Sequence, residues 1–175
     1  RAKVKARRSQ DSSLADISIG DLVMFCAIKA LLEIPALNVE FIDGKLHQRT
    51  AVNLGFACDT PRGLLVPVVH GSEKLSAAAL SARVKALTSQ ALEGTLAPDD
   101  MTGATFTVSN LGSFGVESFT PILNAPQVAI LGVDAIQLKP VRRDGGVAFI
   151  DSIGLSLTLD HQVIDRRQRL GVADD

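Results

Sequence analysis

The chain has 175 residues, enough for one domain with a buried core. Its 46% hydrophobic residues are an ordinary globular fraction, but with no Trp, no Tyr and seven Phe the core has to rest on Leu, Val, Ile and Ala. A net charge of −1 argues against a nucleic-acid footprint, and no run approaches the roughly 18 apolar residues of a membrane span.

Residues 1–10 read as the end of a helix begun further upstream. The basic cluster Arg1-Ala-Lys-Val-Lys-Ala-Arg-Arg8 reads as its solvated face, in preference to a site for an anionic partner. A polar loop, Gln10-Asp-Ser-Ser13, follows. Asp16 or Ser18 can cap a helix from about Ile19 to Glu33. Its Leu22, Val23, Phe25, Cys26, Ile28, Leu31 and Leu32 make it apolar on most sides, so burial is expected. Pro35 ends it. Asn38–Ile42 alternates as a strand, Asp43-Gly44 is a strong hairpin turn, and Lys45–Arg49 returns.

Strands are expected at Asn53–Cys58 and Leu64–His70, joined by the turn Thr60-Pro-Arg-Gly63. The run Leu64-Leu-Val-Pro-Val-Val69 is apolar without alternation, which predicts cover on both faces, while Pro67 assigns it to an edge or a bulge. Ser76 is a good N-cap for a helix to about Glu93, with Leu80, Val84, Leu87 and Ala91 as its sheet-facing stripe and Gly94 as its C-cap. Later strands are Thr105–Ser109, Val128–Gln137 and Val147–Leu159, with a hairpin turn at Asp144-Gly-Gly146. Helices mixed with hairpins give an α+β domain, with helices on one face of a mixed sheet. With no repeat, linker or low-complexity tract, residues 1–175 read as one domain.

Cys26, in an apolar run, and Cys58, at a strand end, read as buried thiols and not as a disulfide or metal site. His47 and His70 have no Cys or carboxylate at ligand spacing, so no metal is expected. The N-terminus has no apolar core of the signal-peptide kind, so the expected compartment is the cytoplasm, or the matrix of a mitochondrion.

Chemistry is concentrated in two segments. Leu155-Ser-Leu-Thr-Leu-Asp160-His161-Gln162-Val163-Ile164-Asp165 is an alternating strand that delivers a histidine between two carboxylates. Histidine titrates near neutrality, so His161 fits a general base; spacing alone fits a surface histidine in a strand-to-helix turn equally well. Thr105-Phe-Thr-Val-Ser109-Asn110-Leu-Gly112-Ser-Phe-Gly115 is a strand entering a glycine-rich turn, followed by Asn124-Ala-Pro126-Gln-Val-Ala-Ile-Leu-Gly132-Val. By itself Ser109 reads as a strand end, and Asn124-Ala-Pro126 as a turn and not a ligand group.

With Asp59-Thr-Pro-Arg-Gly-Leu-Leu-Val-Pro-Val-Val69, these segments resemble the catalytic domain of the dihydrolipoyl acyltransferases of 2-oxoacid dehydrogenase complexes. That family carries Asp-Thr-Pro-x-Gly-Leu-x-Val-Pro-Val, Ser-Asn-Leu-Gly, Asn-Ala-Pro-x-x-Ala-Ile-Leu-Gly-Val and Asp-His-Arg-x-x-Asp-Gly, and the resemblance covers nearly the whole chain.

The resemblance implies a chloramphenicol acetyltransferase-like fold assembled as a homotrimer, with each active site in a channel at a subunit interface. It implies transfer of an acyl group from dihydrolipoamide to coenzyme A, without a metal, a covalently bound cofactor or an acyl-enzyme. His161 matches the base, Ser109 the hydroxyl that meets the oxyanion, and Asp165 the aspartate that fixes the histidine loop. Asn110 and Gly112, the implied substrate-binding residues, shape the turn that presents Ser109. The implied partners are a lipoyl domain, coenzyme A and further copies of the chain, up to a cage in full-length relatives.

Three departures stand out. Gln162 replaces the motif's arginine. Asp165 is followed by Arg166-Arg167-Gln168-Arg169 where the motif has glycine and then an apolar helix. The family's first strand and helix read as largely missing from this sequence, and its lipoyl and peripheral-subunit-binding domains as wholly absent. The expectation is therefore a catalytic domain shortened at both ends, forming trimers or smaller species. A non-catalytic scaffold of the same fold is the alternative. A related acetyltransferase acting on a hydroxyl is a third reading, against which the Ser-Asn-Leu-Gly and Asn-Ala-Pro signatures argue.

Overall fold

The computed structural model describes residues 17–164. The expected helix over residues 1–10 and the loop after it lie outside these residues.

Helix α1 (Ile19–Glu33) starts at a capping box: Ser18 Oγ accepts the Asp21 N–H at 3.0 Å, and Asp21 accepts the Ser18 N–H at 2.7 Å. A hairpin follows, β1 (Val39–Ile42) with β2 (Lys45–Gln48). Its turn residues Asp43 and Gly44 have φ of 50° and 74°, the left-handed pair that a two-residue hairpin requires. Helix α2 (Ala77–Glu93) is capped by Ser76 and ended by Gly94 at φ 80°, and its stripe Leu80, Val84, Leu87 and Ala91 is buried as expected.

The two strands expected over residues 53–70 are each cut in two. They form β3 (Leu54–Phe56), β4 (Cys58–Thr60), β5 (Gly63–Leu65) and β6 (Val68–Val69). The Ala57 N–H still donates to Val108 at 2.9 Å, and the chain then leaves the main sheet. Cys58–Thr60 instead pairs with Gly63–Leu65 as a separate hairpin. Pro67, which has no N–H to give, accepts from Phe56 at 3.0 Å and breaks the return strand. The expectation of cover on both faces therefore holds for Val68 and Val69 and fails for Leu64, which is 68% exposed.

The main sheet has the order β6-β3-β7-β8-β9, with β7 at Phe106–Asn110, β8 at Ala129–Arg143 and β9 at Gly146–Leu159. Pairs β3–β7 and β7–β8 are parallel and the outer two antiparallel, so the sheet is mixed, with β6 and its neighbouring Pro67 at an edge. β8 runs six residues beyond its expected end, because the Asp144-Gly145 turn (φ 50° and 79°) keeps the hairpin paired to Arg143 and Gly146. A register shift between Val133 and Ile136 separates the part of β8 that joins β7 from a ribbon it forms with β9 alone.

Alternation assigns the two faces. Phe106, Leu131, Leu155 and Leu157 face α1, while Thr107, Ser109 and Ile130 line a cavity on the other side. α1 is less covered than its sequence predicts. Met24, Ile28 and Leu31 are buried, but Leu32 is 45% exposed, and an apolar groove of about 470 Å³ lies between the helix and β7–β9.

Candidate active site

Ser109 is the next-to-last residue of β7, in register with Gly132 of β8 and, beyond it, Ser156 of β9. It lines a cavity of about 400 Å³ whose other walls include Leu64, Val66, Phe119, Ile122 and Ile130. Phe119 and Pro121 pack over Gly132; a β-carbon there would meet their side chains at 3.0–3.1 Å, so the loop lies close against the sheet at this glycine. Ser109 therefore presents a hydroxyl to an otherwise mainly apolar hollow.

The turn after Ser109 is stitched to β8. Asn110 Oδ1 accepts the Gly112 N–H at 2.9 Å, and the Leu111 N–H donates to Val133 at 3.0 Å. On the far side of the turn, the Ala135 N–H donates to Val116 at 2.7 Å. Asn110 and Gly112 thus hold the turn, and neither lines the cavity.

His161 is exposed, in the turn that follows β9. Asp160 builds that turn: its Oδ1 accepts the Gln162 N–H at 2.9 Å, and its carbonyl accepts the N–H groups of Val163 and Ile164 at 3.2 and 3.0 Å. The Asp160 N–H donates to Val128 at 2.8 Å, and Ile164 is buried in the core. Asp165 lies outside the described residues.

Ser109 and His161 are not brought together within the chain. Asp160 sits beside Val128, four residues along β8 from Gly132, which is about 13 Å along the sheet, and two strand spacings, about 10 Å, separate β9 from β7.

A polar chain that the sequence reading missed lies under the cavity. Thr107 Oγ1 donates to Gln127 Oε1 at 2.7 Å and receives Asn124 Nδ2 at 3.5 Å. Asn124, in the turn that leads into β8, also lines the Ser109 cavity. The placement of Thr107 was accessible from strand alternation, two residues before Ser109; that of Gln127 and Asn124 was not, because it depends on how the 119–127 loop folds back.

Of the thiols, Cys58 is buried as expected and Cys26 is exposed, on the uncovered flank of α1. Burial, and secondarily the charge of Asp59, pushes the Cys58 thiol up from its ordinary value. His47 and His70 are exposed, and His70 Nε2 lies 3.1 Å from the Asp99 carbonyl. Among the described residues, no helix is long and apolar enough to cross a membrane.

Residues 1–171 match the model of the family described as 2-oxoacid dehydrogenases acyltransferase (catalytic domain). A Staphylococcus aureus relative, the dihydrolipoyllysine-residue acetyltransferase component of the pyruvate dehydrogenase complex, is 42% identical over 145 residues, 82% of this chain. The chain spans only 34% of that relative's length. The solved structure of Azotobacter vinelandii dihydrolipoamide acetyltransferase superposes with a TM-score of 0.87 at 37% identity, over 95% of this chain and 70% of that one. That study concerns the role of a serine, a histidine and an asparagine in the catalytic mechanism. The cubic core of a pyruvate dehydrogenase multienzyme complex superposes with a TM-score of 0.84 at 38% identity, over 95% and 70% of the two chains. Chloramphenicol acetyltransferase shares the fold, with a TM-score of 0.58 at 14% identity over 94% and 77%.

Proposed function

The chain belongs to the 2-oxoacid dehydrogenase acyltransferase family, by its catalytic domain, and on that premise we propose that it transfers an acyl group from dihydrolipoamide to coenzyme A. The observation that carries this reading is Ser109, set with its hydroxyl in an apolar cavity at the carboxyl end of a central strand. The serine and histidine of the Azotobacter enzyme stand at the same interval as Ser109 and His161, and its asparagine follows the histidine at the interval of Asp165.

A free thiol has a pKa near 8.5, so little of it is thiolate at neutral pH. His161 takes the proton from the thiol of coenzyme A as its sulfur attacks the carbonyl of S-acyl dihydrolipoamide. Charge moves onto the carbonyl oxygen, where the Ser109 hydroxyl donates a hydrogen bond. When the carbon–sulfur bond to the dihydrolipoyl arm breaks, the histidine returns its proton to the leaving sulfur. A donor aimed at the oxyanion is worth roughly 3 kcal/mol in the transition state. Asp165 fixes the histidine loop, and Asn110 and Gly112 fix the serine turn.

We read the assembly as a homotrimer, with Ser109 and His161 of each site supplied by neighbouring copies. Their separation within one chain supports this. So does the β8–β9 ribbon, which leaves Leu138, Val147 and Phe149 about two-thirds exposed. The related cubic core makes a larger cage of such trimers a natural setting, with a lipoyl domain as the carrier of the acyl group and the bacterial cytoplasm as the compartment.

The test is acetyl transfer between dihydrolipoamide and coenzyme A, with His161→Ala as control. Activity lost in the variant supports the reading. A folded, trimeric and inactive wild-type chain would replace it with the scaffold alternative.

A further inference from the structure

We propose that Asn124 orients the substrate: its side-chain oxygen accepts a hydrogen bond from an amide N–H on the arm of the thiol substrate bound beside Ser109. This rests on the acyl-transfer reading above.

Asn124 and Ser109 line one cavity, and most of the rest of its wall is apolar. In such a hollow a few polar groups decide how a ligand lies. Thr107, between them on the floor, is already committed, donating to Gln127 and accepting from Asn124. Thr107 and Gln127 are 2% and 5% exposed, so their hydrogen bond is shielded from bulk solvent. The NH₂ end of the Asn124 carboxamide faces Thr107, at 3.5 Å from its hydroxyl. The Gln127 N–H, donating to the Asn124 carbonyl at 3.1 Å, fixes the main chain of the same turn. Asn124 Oδ1 has no hydrogen-bond partner among the described residues and, unlike the Asn38 oxygen, is not sealed in the interior.

The ligand chemistry follows. An unpartnered amide oxygen wants an N–H, and it belongs to the same cavity wall as the hydroxyl that faces the reacting carbonyl. Both thiols carry an amide on the arm leading to sulfur. In coenzyme A it lies two carbons from the sulfur; in dihydrolipoamide it ends the five-carbon acid chain.

The experiment compares amide with ester, which has no N–H, in both arms. The acceptor pairs are N-acetylcysteamine with 2-mercaptoethyl acetate, and dihydrolipoamide with methyl dihydrolipoate. Wild type is expected to favour the amide of one pair by about 3- to 10-fold in kcat/KM, and Asn124→Ala to lose that preference. The affected pair identifies the arm. A merely structural Asn124 would lower amide and ester alike. Absence of any amide preference in wild type overturns the inference without recourse to the variant, and a preference that survives Asn124→Ala also overturns it. Equilibrium binding of the S-methyl forms of the four compounds is measured in parallel. Amide-selective binding that depends on Asn124, without turnover, would sink the transfer reading and leave this one standing. Turnover without that selectivity would do the reverse.

Discussion

Gly112 lies against the main-chain carbonyl of Asp134, so closely that a β-carbon at residue 112 would come within 2.6 Å of that oxygen. The obstacle is backbone, on both sides of which β8 is bonded to the Ser109 turn, so it cannot swing away as a side chain would. Gly112→Ala should therefore push the turn off β8. We expect a loss of about 1–3 kcal/mol in stability and, from displacement of Ser109, a fall of up to about 100-fold in kcat. Denaturant unfolding and acetyl transfer measure the two effects. Unchanged kcat in a destabilised variant would separate the turn from the chemistry.

The distance between Ser109 and His161 makes complementation the sharpest test of a shared site. Ser109→Ala and His161→Ala should each reduce kcat by about 100-fold or more, with little change in thermal stability for the serine variant. Unfolded together and refolded as a mixture, they form sites with an intact serine from one copy and an intact histidine from another. About a quarter of wild-type activity should return if copies in a cyclic trimer associate at random. No recovery, with mixed trimers shown to form, would mean that both residues act from the same chain.

Local signals were legible and relational ones were not. Ser18 and Ser76 as caps, Asp43-Gly44 and Asp144-Gly145 as turns, and the α2 stripe follow from neighbouring residues, and the structure has them where expected. The break at Ala57 was not readable, because it depends on Val108 as a bonding partner and on a hairpin forming beyond it. The open flank of α1 escaped for a similar reason: an apolar helix surface announces burial but not what covers it, and Cys26 and Leu32 remain exposed. For the site, spacing left His161 undecided and Ser109 unremarkable. Only the motifs singled them out, and only strand order and register show how far apart they lie on the sheet.

Cys58 predicts an alkaline weakness. Its thiol is held above the ordinary value in the folded chain, first by burial and then by Asp59. The folded state therefore keeps a proton that the unfolded state gives up. This contribution is whole below the unfolded pKa and is lost as pH rises towards the folded one. The wild type should lose more stability than Cys58→Ala as pH is raised above about 8.5, the ordinary thiol value. Unfolding curves across that range check the sign, and parallel slopes for the two proteins would refute it. Thiol labelling gives a second reading: Cys26 should react at once and Cys58 only with unfolding.

Asp21 joins the two helices as well as capping one. The carboxylate is 4% exposed, accepts the Ser18 N–H at 2.7 Å and receives the Ser81 hydroxyl of α2 at 2.9 Å. A buried charge of this kind is tolerable only while its donors remain, and the donors are left stranded if it is removed. Asp21→Ala should cost about 2–3 kcal/mol, the sum of an unpaired Ser18 N–H and an unpaired buried hydroxyl. Ser81→Ala should cost about 1 kcal/mol, since the charge keeps its main-chain donor. The double variant should be less destabilised than the two single losses together, because the second substitution removes a group that the first had stranded. Urea unfolding of all four proteins closes the cycle. Additive losses would mean that the contact between α1 and α2 contributes nothing through this pair.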